Sequence, residues 1–135
     1  MAIKKVLKMG HPLLRKIALD VAPDKIRSEP IQNIITDMID TLEETGGIGL
    51  AAPQIGESLR MVIINIPEGS SSYGEIKGVP LSIFINPIIT TIGLEEQAHW
   101  EGCLSVPGLR GLVSRPQHLT VNYLNENQEQ KENKK

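Results

Sequence analysis

Between residues 31 and 45, Ile31, Ile34, Ile35, Met38, Ile39 and Leu42 recur at steps of three and four. Gln32, Asn33, Asp37, Asp40, Glu43 and Glu44 occupy the opposite side. This spacing predicts an amphipathic α-helix, opened by Ser28 or Pro30 and stopped at Gly46-Gly47. Its acidic last turn opposes the helix dipole, a small cost at an exposed site. Leu13, Leu14, Ile17 and Ala18, after the turn signal Gly10-His11-Pro12, are too few to predict a second helix. One long helix therefore has to find an apolar partner elsewhere in the chain.

That partner is extended. Residues 60–66 are rich in β-branched side chains and end at Pro67, as a strand would. Residues 81–85 and 88–92 flank Asn86-Pro87 as two more strand candidates. Residues 95–100, 111–114 and 119–124 add three short extended segments. Residues 23–30 and 68–78, with their prolines, glycines and serines, read as surface loops. Residues 125–135 contain no apolar side chain and are expected to form a polar tail without regular structure. The expected architecture is α+β, a single domain over residues 1–124 with one long helix packed on short, mostly antiparallel strands.

Composition narrows the function classes. The chain has 135 residues, enough for one core, and its four aromatics (Tyr73, Phe84, Trp100 and Tyr123) leave that core aliphatic. A net charge of −2 and the absence of a basic stripe argue against nucleic acid as a partner. No apolar run approaches the roughly 20 residues of a membrane span. The basic start Met1-Ala2-Ile3-Lys4-Lys5 has no long apolar region behind it, so a secretory signal is not expected. A lone cysteine permits no internal disulfide and suits a reducing compartment, so a cytoplasmic location is expected.

Two segments carry chemistry. In Gly47-Ile48-Gly49-Leu50-Ala51-Ala52-Pro53-Gln54, the glycines alone would be an ordinary helix stop. The full octet adds two small alanines and a glutamine whose amide can donate to a carbonyl oxygen, as oxyanion-stabilising groups do. Glu101-Gly102-Cys103-Leu104-Ser105-Val106-Pro107 places the only cysteine in a turn-rich stretch. A free cysteine is most often a small, inert hydrophobe. In a cytosolic protein its other uses are ligation of a divalent metal and nucleophilic catalysis. A nucleophile needs a base, but His99 would lie about 13 Å away along an extended chain. His118 follows a proline in a turn, so neither histidine gives a recognised pairing with Cys103.

These segments resemble the first two signature motifs of the peptide deformylases. The resemblance extends from Lys8-Met9-Gly10-His11-Pro12-Leu13-Leu14-Arg15 to Val121-Asn122-Tyr123-Leu124, with Phe84-Ile85-Asn86-Pro87 and Leu109-Arg110-Gly111-Leu112-Val113-Ser114-Arg115 in the family's order. It implies a deformylase-like fold and a metal-dependent hydrolase that removes the formyl group from N-formylmethionyl peptides during protein maturation. By the same resemblance Cys103 is a metal ligand. Gln54 and the backbone N–H of Leu104 stabilise the oxyanion. Ile48, Gly49, Leu50 and Arg110 meet the substrate. Glu101 and Arg115 pair to brace the cysteine loop. The implied ion is Fe2+, or Zn2+ or Ni2+.

The third signature of that family, a helical His-Glu-x-x-His, has no counterpart here. The three histidines are His11, His99 and His118, and no two lie four residues apart. The C-terminal metal-ligand helix is thus expected to be missing, and with it two histidine ligands and the general-base glutamate. The metal is expected to be weakly held or absent, and this chain alone inactive. An apolar face that such a helix would cover is expected to stand open, available for self-association. Two alternatives compete: a non-catalytic module that binds N-terminal peptides, and an enzyme completed by a separate chain carrying the histidine helix.

Overall fold

The computed structural model describes residues 2–71 and 74–134. The expected helix is α1, Glu29–Thr45. It begins two residues before the apolar pattern because Pro30 suits the first turn, where its missing N–H is no loss. Ser28 stands at the N-cap in an extended conformation and gives no side-chain cap; its Oγ donates to the carbonyl of Lys25 instead. Gly46 ends the helix in the left-handed region at φ 72°, donating its N–H to the carbonyl of Leu42. Ile35, Met38, Thr41 and Leu42 form the buried face.

Among the described residues seven strands follow: β1 (Gly49–Ala51), β2 (Met61–Ile66), β3 (Gly69–Ser71), β4 (Gly74–Ile76), β5 (Val79–Cys103), β6 (Val106–Leu124) and β7 (Gln130–Lys134). Five of them make one antiparallel sheet in the order β1-β2-β5-β6-β7, and β3 pairs with β4. The loop expected over residues 68–78 therefore contains a small hairpin; Tyr73 lies outside the described residues. In β2, Met61 and Ile63 are buried, opposite the buried Ile85 and Ile83 of β5. Together with Leu50, Ile26 and the buried face of α1 they form the core. Burying each such side chain stabilises the fold by about 1.5–3 kcal/mol.

Two expectations change. The short segments around residues 81–100 are one strand, β5, of 25 residues, and residues 111–124 lie within the 19-residue β6. Irregularities interrupt the pairing between Ile85 and Ile88 and between Ile92 and Glu96, which is why the sequence reads as fragments. At the first, Asn86 adopts φ 52°. Its side chain donates to the carbonyl of Val21 at 2.7 Å and accepts the Val21 N–H at 2.8 Å, which holds a conformation most residues avoid.

Residues 125–134 are polar, but they are not without structure. Asn125 Oδ1 accepts the N–H groups of Asn127 and Glu129, and the resulting turn sets β7 against Thr120–Leu124 of β6. An exposed edge strand is held by backbone hydrogen bonds and needs no apolar side chain. A search for apolar alternation cannot find it.

Candidate active site

Each motif is aimed by the element that precedes it. β1 leaves the end of α1 and forms the sheet edge, with the Ile48 carbonyl accepting the Asn65 N–H at 2.9 Å and Gly49 opposite Ile64. Alternation along an antiparallel pair turns the N–H and C=O of Gly49 away from β2, toward the open edge. A one-turn 3-10 helix, Ala52–Ile55, then presents Gln54. Its Oε1 accepts the Ala51 N–H at 2.9 Å. Its Nε2 donates to Ser105 Oγ at 3.0 Å and lies 3.8 Å from Cys103 Sγ. With the oxygen held by the backbone, the NH2 end of the amide faces the cysteine.

Cys103 closes β5, and Leu104 and Ser105 make the turn into β6. The thiol is free and exposed. Ile48, Gly49, Gln54, Cys103, Leu104 and Arg110 line one groove of about 710 Å³. The fold brings those six together. Leu50 is not among them: its side chain is 2% exposed and belongs to the core, leaving only its backbone near β1's edge.

Glu101 and Arg115 stand on the same face of the β5–β6 ribbon, outside the groove lining. The guanidinium reaches both carboxylate oxygens, at 2.5 and 2.7 Å. That two-point hydrogen bond outweighs the opposing desolvation and, with the charges of Arg115 and His99 helping, holds the Glu101 carboxyl below its ordinary range. The same contact raises Arg115 further. The pair ties the two strands together where they approach the cysteine turn.

Lys8, Val6, Thr45 and Ser105 were not singled out in the sequence, although the first three line the groove. Residues 7–9 join the two motifs. The Leu7 N–H donates to the Gln54 carbonyl at 2.7 Å and the Met9 N–H to the Ser105 carbonyl at 2.8 Å. Lys8 Nζ lies 3.5 Å from the Leu104 carbonyl. Backbone donors leave no sequence pattern, which is why this clip was invisible.

The donor set does not fit a metal ion on its own. Among the described residues no three His, Cys, Asp or Glu side chains stand together. His11 Nδ1 accepts the Leu13 N–H, His99 faces Val113 across the ribbon, and His118 faces Ile92. A catalytic zinc or iron site takes about three protein ligands. Cys103 supplies one.

Residues 3–135 match the family model of polypeptide deformylase. The chain belongs to that family. It is 39% identical over 127 residues to peptide deformylase of Leptospira biflexa serovar Patoc, covering 94% of this chain and 71% of that protein. It is 45% identical over 117 residues to peptide deformylase 2 of Pseudomonas putida, covering 87% and 65% respectively. The Met-Ala-Ser-bound crystal structure of class I type b peptide deformylase from Acinetobacter baumannii superposes with TM-score 0.88 at 30% identity, covering all of this chain and 85% of that one. The actinonin complex of the Ehrlichia chaffeensis enzyme gives TM-score 0.86 at 34% identity, covering 99% of this chain and 75% of that one. The deformylases are metal-dependent hydrolases, and this chain has their α+β fold. Among the described residues no helix is long and apolar enough to cross a membrane.

Proposed function

We propose that these 135 residues form the peptide-binding and oxyanion-stabilising part of a deformylase site. On this reading the ligand is an N-formylmethionyl peptide. The observation that carries it is the fixed amide of Gln54, 3.8 Å from Cys103 Sγ in a groove shared with Gly49 and Leu104. A peptide laid along β1 would pair with the outward N–H and C=O of Gly49, extending the sheet by one strand. Its formyl oxygen would accept from Gln54 Nε2 and the Leu104 N–H. Arg110 supplies a cation at the groove wall. Glu101 and Arg115 hold the cysteine turn in place.

Hydrolysis of the formamide needs a water oxygen to add to the formyl carbon and a base to carry its proton to the departing amine. The oxyanion donors are present here. Among the described residues the groove lining holds no His, Asp or Glu to activate the water. Stabilising the oxyanion alone is worth about 10²–10³-fold, far short of an enzyme's usual acceleration. The 135-residue chain is therefore a binder without turnover, and Fe2+, Zn2+ or Ni2+ is held weakly or not at all. Among the described groove residues, the thiol of Cys103 is the donor it would offer an ion whose remaining ligands come from elsewhere.

Calorimetric titration with formyl-Met-Ala-Ser tests the reading, alongside formate release with added nickel or iron(II). Binding is expected, weakened by Gln54→Ala and by Arg110→Ala, with formate at background. Metal-dependent formate release that disappears in Cys103→Ala would overturn the incomplete-site reading. Failure to bind the peptide at all would overturn the binding site itself.

A further inference from the structure

Ser105 is 5% exposed, and with Thr41 it is one of two buried polar residues among those described. Thr41 has a structural use, accepting the Lys4 N–H at 2.8 Å. Ser105 sits behind the groove, where its Oγ accepts from Gln54 Nε2 at 3.0 Å. Its own carbonyl is pinned by the Met9 N–H, and the Gln54 carbonyl by the Leu7 N–H two residues earlier in the same segment. The hydroxyl and the amide are thus both mounted on backbone that residues 7–9 hold together.

A glutamine amide has two N–H donors and one carbonyl acceptor, and it can rotate about its last torsion. The Ala51 N–H decides which end faces the groove, because it takes the oxygen. It does not fix the tilt of the NH2 group. A second anchor does that. One amide proton directed at Ser105 Oγ leaves the other directed toward Cys103 Sγ, the side from which a ligand's carbonyl oxygen would approach.

We propose that Ser105 is a positioning residue that acts through Gln54, holding one amide proton so that the second is presented to the substrate's carbonyl oxygen. The bland alternative is a small buried hydroxyl satisfied by the nearest donor, with no bearing on the site. The two readings differ in what Ser105→Ala does to the Gln54 amide and in whether its effect survives removal of Gln54.

The first measurement is the nitrogen-15 NMR signal of the Gln54 side-chain amide in the 135-residue chain, assigned with Gln54→Ala. In the unaltered protein its two protons are expected to be well separated and slow to exchange with water. In Ser105→Ala they should move toward the values of a free glutamine and exchange faster. An unchanged signal in a folded Ser105→Ala protein overturns the proposal.

The second is the affinity for formyl-Met-Ala-Ser, and this arm rests on the function proposed above. Loss of one anchoring hydrogen bond should weaken binding about 5-fold in Ser105→Ala. Adding Ser105→Ala to Gln54→Ala should cost nothing further, since the two act as one unit. Additive losses would overturn the proposal. A chain without affinity for the peptide would overturn the binding function instead, and the amide signal would still decide the role of Ser105.

Discussion

A Cβ placed on Gly47 would stand 3.0 Å from Cδ1 of Leu104 and 3.3 Å from its Cδ2. The glycine after the helix is therefore more than a stop: it makes room for the side chain of a residue 57 positions later, at the centre of the cysteine turn. The contact joins the two motifs from one side, as residues 7–9 join them from the other.

The first prediction follows from that contact. Gly47→Ala should push the Leu104 side chain by a few tenths of an ångström and shift the adjoining N–H. The methyl meets the end of a flexible side chain, so the fold should survive at a cost of about 1 kcal/mol. Peptide affinity should fall several-fold more than in Gly49→Ala, whose new Cβ would meet only ordinary contacts at 3.6 Å and beyond. Calorimetry on both variants, with thermal midpoints, checks the order. Equal losses would remove the special role given to Leu104.

The second concerns Asn86. Its left-handed backbone at φ 52° and its paired hydrogen bonds to Val21 make the kink that splits β5. Asn86→Ala loses both bonds and leaves a β-carbon in an unfavourable conformation, a destabilisation of about 2–4 kcal/mol. Asn86→Gly loses the bonds but not the conformation, and should cost about half as much. Urea unfolding separates them; a glycine variant no better than alanine would show that backbone strain is unimportant here.

The third is a pH dependence. Arg115 holds the folded-state pKa of Glu101 below its ordinary value of 4.5. The unfolded chain therefore binds the proton first on acidification, and the pair's contribution is full above pH 4.5 and lost as pH falls through the lower folded value. The pair is exposed, so its whole contribution is no more than about 1 kcal/mol and is screened by salt. Glu101→Gln should be slightly less stable than the parent protein at pH 6, and the difference should shrink as the pH is lowered below 4.5. Stability curves that stay parallel over that range would mean the ion pair contributes nothing.

What the sequence discloses follows from what leaves a mark on it. The helix was legible because burying one face imposes a 3.6-residue period, and Gly46 marked its end. The core strands were legible at Met61, Ile63, Ile83 and Ile85 because both sides of each pairing are buried in the core that α1 joins. β7 was not, since Gln130, Lys131 and Glu132 on an exposed edge are selected for nothing an apolar pattern records. The length of β5 was hidden by the kinks at Asn86 and Gly93. In the site, Gln54, Cys103 and Gly49 were readable as chemistry. Leu50 was misplaced because its neighbours in the octet face the groove while alternation turns its own side chain inward. Ser105 and the clip at residues 7–9 act through a hydroxyl and backbone N–H groups, which any sequence could supply.

The last prediction concerns the open side of the sheet. From Arg110 to Leu124 the irregularities in the β5–β6 pairing put their extra residues on β5, so β6 alternates regularly and Leu112, His118, Asn122 and Leu124 share one of its faces, paired with Trp100, Ile92, Ile88 and Ile85. At Ile85 and Leu124 that face packs in the core beside α1. Farther out it is uncovered: Ile88 is 61% exposed, Trp100 58% and Leu112 60%, the last two directly opposite each other. A two-stranded ribbon with apolar side chains in water is marginal by itself, and such a patch promotes association. Sedimentation of the 14.8 kDa chain should show mass rising with concentration, and Trp100→Glu with Leu112→Lys should return it to monomer without loss of the core. Trp100 is the only tryptophan, so its fluorescence reports the patch directly. Emission should shift to shorter wavelength as the chain associates. A concentration-independent monomer with a fully hydrated tryptophan would show that the open face is tolerated.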